Sequence, residues 1–311
     1  MENSFYELIY ARENLKVRQQ ALALAQKQLE DDRQRVQLHV LAERGGTLEQ
    51  DEAQVASSRA SLIGAQFTLA SDQNALKNLL TDNYPLWHDV EIIPATSMTA
   101  VPQMFDVQTS WSKGLAQRPE MIQAKLDVEQ QGFQLKYSHN QVFPQLDVIG
   151  SYGFNGQARE FHGVFAQENE GNAPFYTVGG QLSIPLGNTR ARNNYKSAKA
   201  TQQQVLLRLK QLEQNVMVQI DNAVKQAQSA WESVDATRQA RVYAEVALEA
   251  EQGKYAAGKS TTFTVLQLQN NLTSARSQEI RALADYNRAL SNLAQQEGNT
   301  LERRQVDFKV K

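Results

Sequence analysis

Apolar residues recur every seven positions over long stretches of this chain, which is the spacing of coiled-coil helices. Over residues 4–43 the repeating positions are Leu15, Leu22, Leu29 and Val36. Over residues 47–80 they are Leu48, Val55, Leu62, Leu69 and Leu76. The paired glycines Gly45 and Gly46 separate the two stretches and are a strong helix break. The pattern therefore predicts two helices joined by a tight turn in an antiparallel hairpin.

A longer heptad pattern follows Pro185 and continues to about Ala256. Its predicted seam consists of Leu209, Val216, Ala223 and Ala230, interleaved with Leu212 or Glu213, Ile220, Ala227 and Val234. At a rise of about 1.5 Å per residue, a helix of this length would extend about 100 Å. The segment 258–260 (GKS) ends it, and residues 261–296 are predicted to return as another helix.

Two stretches alternate between apolar and polar residues instead, over 145–155 and 175–184. Alternation over about ten residues, with glycine and aromatic residues on the apolar face, is typical of a lipid-facing strand. A soluble hairpin packed on a core is the alternative, but the flanking helices offer no separate apolar surface to cover it. In lipid, a lone hairpin would leave its edge backbone groups without hydrogen bonds, so other copies or subunits must close the sheet.

The remaining segments complete a mainly α-helical fold class with one β-hairpin. Residues 81–118 contain three prolines and are predicted to be irregular, with a candidate short strand at 90–93. Pro119 opens a helix, because proline suits the first helical turn. The predicted organisation is a truncated first helical hairpin, the irregular segment, an upper helix, the β-hairpin, the long helix with its returning helix, and a polar tail: 1–80, 81–118, 119–143, 144–186, 187–297 and 298–311.

The two helical hairpins resemble each other in sequence. Residues 75–79 read ALKNL and residues 289–293 read ALSNL, and the same offset aligns the turn at 44–46 with the turn at 258–260. Shared spacing from turn to pentapeptide predicts an internal duplication. Under that alignment, part of the first copy is missing from the sequence. We expect it to lie N-terminal of residue 1, with its own β-hairpin and any export signal.

Composition and charge exclude several function classes. The net charge is −2 with both signs interspersed, and no basic stripe of the kind that binds nucleic acid is present. The chain has no cysteine, which excludes disulfides, thiolate metal sites and thiol catalysis. The four histidines lack the i,i+4 spacing of a metal site and are predicted to lie on the surface: His39, His88, His139 and His162.

No enzyme is predicted, since no Ser/His/Asp constellation or glycine-rich phosphate loop is present. The carboxylate pairs Asp31–Asp32 and Asp51–Glu52 lie in polar helical stretches and are predicted to be solvated helix faces. We accordingly expect neither a metal nor a cofactor.

Several ordered motifs resemble those of the TolC-like outer-membrane efflux channel family. They cover nearly the whole chain and comprise RPE at 118–120, FP at 143–144, GQLSIPL at 180–186, and KYAAGKST at 254–261 followed by VL at 265–266. The resemblance implies a homotrimer in which each protomer has two repeats and gives four strands to one outer-membrane β-barrel. Long antiparallel coiled-coil hairpins would then form a periplasmic α-helical tunnel.

The resemblance also implies a function and partners. Substrates would pass unchanged from the periplasm to the exterior, through the outer-membrane component of a tripartite efflux system. The helical tips would bind a periplasmic adaptor (membrane fusion) protein, which connects the duct to an inner-membrane pump. A duct for type I protein secretion and a non-conducting coiled-coil envelope scaffold are the alternatives.

Individual site residues follow from the same resemblance. Tyr255 matches a tyrosine that makes gate contacts, and Ser260 occupies the position of the family's gate-linking arginine. Thr264 and Gln267 fall at entrance positions that are acidic in some members. The implied periplasmic gate is therefore held by neutral hydrogen bonds and lacks a ring of acidic residues.

The implied adaptor-docking tips lie at the two helical turns. Gly258 matches the tip glycine that shapes the second turn, and Lys259 follows it. In the first copy, the docking turn contains His39, Val40, Gly45 and Gly46.

Overall fold

A computed structural model describes residues 1–37, 47–155 and 174–306. The described part is mainly helical and contains one two-stranded antiparallel sheet. In chain order the elements are α1 (Glu2–Gln37), α2 (Thr47–Leu80), α3 (Tyr84–Trp87), α4 (Val107–Gln117), α5 (Pro119–Asn140), β1 (Gln145–Phe154), β2 (Pro174–Ser183), α6 (Thr189–Ala256), α7 (Thr262–Glu297) and α8 (Thr300–Arg303). The described residues form two compact units, one from within 1–118 and 216–311 and the other from within 119–215.

Most of the predicted elements are confirmed. The predicted bounds of α2 match, α6 runs to Ala256 as expected, and α7 is displaced by one residue at each end. Both strands form where the alternating pattern predicts them. The end of the first predicted helix, from residue 38, and the turn at Gly45 and Gly46 lie outside the described residues.

The prediction for residues 81–118 was wrong in two respects. Residues 90–93 do not form a strand. Residues 107–117 form α4, because Asp106 caps its first turn by accepting a hydrogen bond from the backbone N–H of Gln108 at 3.1 Å. The prolines of this segment do not exclude helix, since Pro85 itself lies in the first turn of α3, and the aspartate cap was the signal of α4 that the sequence interpretation missed.

The core of the first unit lies where α6 and α7 pack together. The predicted seam of α6 is confirmed by burial at Val216, Ile220, Ala223, Ala227 and Val234, whereas its other members are only half-buried: Leu209, Leu212, Glu213 and Ala230. An apolar cluster forms around the fully buried Tyr286 and contains Ala227, Val234, Ala282, Ala289 and Leu290. Gly114 of α4 permits close approach here, since an added Cβ would lie 2.4 Å from Cδ1 of Ile220.

The buried seam of α2 differs from the predicted one. Only Leu76 of the predicted apolar heptad is buried, whereas Asp51, Ser58 and Ala65 form a second seven-residue series that is buried. Small and polar residues therefore occupy the closest packing positions of this helix.

The second unit contains α5, the β-hairpin and the first part of α6. Across β1 and β2, Leu146 pairs with Leu182, Val148 with Gly180, and Tyr152 with Tyr176. Paired residues share a face, and the apolar face is exposed, with Val148 at 81% and Tyr176 at 82% of full exposure. Where the chain is described, none of its helices combines the length and apolar character needed to cross a membrane.

Candidate functional site

The turn between α6 and α7 has a defined hydrogen-bonded geometry. Gly258 has a φ of 72°, in the left-handed region that favours glycine. Its N–H donates to the carbonyl of Tyr255 at 3.0 Å, and the N–H of Lys259 donates to the carbonyl of Lys254 at 2.9 Å. This pair of bonds is a Schellman motif, which ends α6 at a fixed position. The last turn of α6 and the first turn of α7 are thereby held side by side.

Tyr255, in the last turn of α6, is buried and bonded to a carboxylate of α1. Its hydroxyl donates to Oδ1 of Asp32 at 2.7 Å. Oδ2 of Asp32 accepts from the Thr262 hydroxyl at 3.1 Å and from Nε2 of Gln28 at 3.0 Å. Asp32 has no exposed surface, so these three donors replace its solvent.

This geometry corrects two predictions. Asp32 is buried and does not lie on a solvated face, although its neighbour Asp31 is exposed. The contacts of Tyr255 are not all neutral, since a bond to a carboxylate is charge-assisted and stronger than a neutral one. Asp32 and Ala25 are seven residues apart on the buried face of α1, which is the signal in the sequence that could have placed the carboxylate inside.

A second carboxyl group, that of Asp51 on α2, lies against Asp32. Asp51 has no exposed surface, and neither of its oxygens has a hydrogen-bond partner. Burial, followed by the charge and proximity of Asp32, raises the pKa of Asp51 to about 7. The prediction of a solvated face was wrong for Asp51. Glu52 is exposed, and pairs with Arg33 at 2.9 Å.

We refer to Gln28, Asp32, Asp51, Tyr255 and Thr262 as the tip cluster. It joins four helices, because its members lie on α1, α2, α6 and α7. Burial raises the pKa of Tyr255 to about 12, so its phenol remains a donor across the physiological range. The guanidinium of Arg35 lies 4.5 Å from the centre of the Tyr255 ring and adds a cation–π contact from α1.

The other predicted gate residues lie near the turn and do not bond to the tip cluster. Ser260 donates to the side chain of Glu251, and this bond is the main cause of a lowered pKa at Glu251. The Thr264 hydroxyl lies 3.0 Å from that of Thr261, the residue that caps α7. Gln267 is exposed.

Of the predicted docking residues, Gly258 shapes the turn as described and Lys259 is exposed. His39, Val40, Gly45 and Gly46 lie outside the described residues. No group of three or more histidine or acidic residues is placed to hold a metal ion in the described ranges.

Comparison with known proteins gives consistent matches. Residues 111–299 match the model of the outer membrane efflux protein family. The chain is 22% identical over 286 residues to the outer membrane efflux protein BepC of Brucella suis biovar 1 (strain 1330), covering 91% of this chain and 60% of BepC. It is 23% identical over 270 residues to the probable outer membrane lipoprotein SilC of Salmonella typhimurium, covering 86% of this chain and 54% of SilC.

The chain thus spans between 54% and 60% of the length of these two relatives. Its fold is similar to that of the outer membrane protein VceC from Vibrio cholerae, with a TM-score of 0.78 and 21% identity. That similarity covers 96% of this chain and 68% of VceC.

Proposed function

Because this chain belongs to the outer membrane efflux protein family, as its motifs predicted, we propose that it acts in a homotrimeric channel of the outer membrane. The channel passively conducts substrates from the periplasm to the exterior and carries out no chemical reaction. A periplasmic adaptor and an inner-membrane pump complete the tripartite system in this proposal.

The exposed apolar face of the β-hairpin is the observation that carries the membrane part of the proposal. Val148, Tyr152, Tyr176 and Val178 are each more than two-thirds exposed on one face of the hairpin. Large contiguous apolar surfaces of this kind mark sites that contact a membrane or another protein. Lipid covers this face when further hairpins of the same kind close the sheet, which satisfies the edge backbone groups.

The tip cluster supports a gate at the periplasmic end of the proposed tunnel. Tyr255 and Thr262 bind the α6–α7 turn to Asp32 of α1, so this turn cannot move outward without breaking buried hydrogen bonds. We propose that breaking these bonds opens the entrance. Ser260, Thr264 and Gln267 then line or stiffen the entrance, and the exposed Lys259 beside Gly258 contacts the adaptor.

The proposal is tested by placing a charge on each face of the hairpin in turn. Val178 lies on the apolar face opposite Gly150, and its neighbour Thr177 lies on the other face opposite Ser151. Arginine at the bilayer midplane on a lipid face costs about 2–4 kcal/mol, whereas changes on the lumen face alter selectivity. We therefore expect Val178→Arg to abolish assembly into the outer membrane, and Thr177→Arg to assemble with altered ion selectivity.

The measurements are the amount of trimer in purified outer membranes and the single-channel current in planar lipid bilayers. A wild-type protein that fractionates with soluble proteins and gives no current would support the scaffold interpretation. Equal assembly of the two arginine variants would show that lipid does not cover the apolar face.

A further inference from the structure

The Asp32–Asp51 pair has an unusual charge environment for the inside of a helical bundle. Among the described residues, the charged and titratable groups that face it are Arg35 of α1, which stacks on the ring of Tyr255, and the hydroxyl of Tyr255 on α6. The contribution of α7 is the neutral hydroxyl of Thr262. Among the described residues, neither carboxyl group forms an ion pair with a lysine or arginine.

The two acids differ in the hydrogen bonds that they make. Asp32 accepts three hydrogen bonds, as a carboxylate does, whereas both oxygens of Asp51 lack a partner although they are buried. A buried carboxylate without donors is costly, and two adjacent carboxylates cannot both ionise cheaply. A proton on Asp51 removes the second negative charge and lets the resulting O–H donate to Asp32, which leaves only the neutral carbonyl oxygen of Asp51 without a partner.

We propose that Asp32 and Asp51 share one proton and that this proton closes the tip of the helical hairpins. With the proton bound, Asp51 of α2 donates to Asp32, and Asp32 in turn accepts from the α6–α7 turn. When the proton passes to solvent water, two buried negative charges repel each other and the bonds to Tyr255 and Thr262 weaken. The role of this proton in gating rests on the proposed channel function. Its effect on the structure of the tip does not depend on that function.

The direction of the pH effect follows from the raised pKa of Asp51. Asp51 has a pKa near 7 in the folded protein, against an ordinary value of 3.8, so folding favours its protonated form. The stabilisation is complete below about pH 4 and is lost as the pH rises through about 7. The tip is therefore closed in acid and loosens as the pH rises through neutrality.

Hydrogen–deuterium exchange of the protein tests the switch without requiring conduction. We expect the amides of residues 252–262, after correction for intrinsic exchange rates, to lose at least tenfold in protection between pH 5 and pH 8. Asp51→Asn keeps the shape and one donor of the protonated acid, and should protect these amides equally at both values. Asp31→Asn removes an exposed carboxylate next to Asp32 and should behave as the wild type does.

Infrared spectroscopy of the wild type supplies a second measurement that needs no variant to fold. A carbonyl band of a protonated carboxylic acid should persist at pH 6 and disappear by pH 8. Absence of that band at pH 6, or equal protection of the wild type at pH 5 and pH 8, would overturn the proposal. Loss of the pH effect in Asp31→Asn would also overturn it.

Single-channel recording separates this inference from the proposed function. We expect the open probability of the wild type to rise from pH 5 to pH 8, and that of Asp51→Asn to stay low. If hydrogen exchange depends on pH but the protein gives no conductance, the switch is supported and the channel function is refuted. If the protein conducts but neither its hydrogen exchange nor its open probability depends on pH, the channel function is supported and the switch is refuted.

Discussion

Two buried tyrosines of the first unit show how differently its two packing regions are built. Tyr286 lies in the apolar cluster, and its hydroxyl donates to the backbone carbonyl of Val101 at 2.6 Å. Tyr255 lies in the tip cluster, and its hydroxyl donates to the carboxylate of Asp32. The Tyr286 hydroxyl is bonded to a backbone carbonyl, which does not titrate. The Tyr255 hydroxyl belongs to a network that includes Asp51, an acid that titrates near neutral pH.

The surroundings of each tyrosine reinforce the contrast. Tyr286 packs against alanines of α6 and α7 and against the ring of Trp231, whose centre lies 5.5 Å away. Such packing is insensitive to pH and is costly to disrupt. Tyr255 also packs in an apolar cluster with Leu248, Val265 and Leu272, but its hydroxyl lies among the polar groups of the tip cluster, so stability there also depends on protonation and hydrogen bonds. The comparison supports the proposal that one region is a permanent core and the other a reversible closure.

The largest expected effect comes from removing the centre of the apolar cluster. Tyr286→Ala should lower the free energy of unfolding by about 3–5 kcal/mol, because it leaves a large cavity among well-packed side chains. The change is measured by denaturant unfolding of the detergent-solubilised protein. Tyr243→Ala is the control, since Tyr243 is 72% exposed and its removal should change the value by no more than about 0.5 kcal/mol. Similar losses of unfolding free energy in the two variants would show that the apolar cluster around Tyr286 is not a specially stabilised core.

An intermediate effect is expected from the smallest change to the tip cluster. Thr262→Val keeps the shape of the side chain and removes one donor to the buried Asp32, which should cost about 1.5–3 kcal/mol. Hydrogen exchange should localise the change to residues 252–262 and leave the amides around Tyr286 protected. Thr264→Val, which removes a hydroxyl bonded only to Thr261 among the described residues, should have the smaller effect. A uniform loss of protection would mean that the two regions are not independent.

The smallest effect concerns the turn that orients the tip. Gly258→Ala should cost about 1–2 kcal/mol, since its backbone is left-handed and no neighbouring atom would touch the added methyl group. Gly253→Ala, five residues earlier inside α6, should instead stabilise the helix by about 0.5–1 kcal/mol. Thermal unfolding of both variants gives the comparison. A loss in both would show that the methyl group, and not the backbone conformation, is responsible.

The sequence predicted the elements that depend on local signals and long periodicities. The heptad of α6 and the alternation of β1 and β2 each extend over many residues and were confirmed. The family motifs pointed to Tyr255 and Gly258, and both lie at the turn between α6 and α7, while their roles in a gate and in docking stay predictions.

The sequence did not reveal what Tyr255 binds. Asp32 is 223 residues away along the chain, and its polar neighbours made a solvated face the natural interpretation. Only the packing of α1, α2 and α7 around the turn brings the carboxyl groups together. Burial of Asp51 follows from the small residues at its seven-residue spacing, Ser58 and Ala65, which a search for apolar heptads overlooks.

The most direct measurement compares the single-channel currents of Tyr255→Phe and Tyr286→Phe in planar lipid bilayers. Each variant loses one buried hydroxyl and keeps its aromatic ring. If the tip cluster closes the gate, Tyr255→Phe should raise the open probability of the closed channel about tenfold, which corresponds to about 1.4 kcal/mol. Tyr286→Phe should leave the open probability unchanged. Equal open probabilities in the two variants, or an increase only in Tyr286→Phe, would contradict the account.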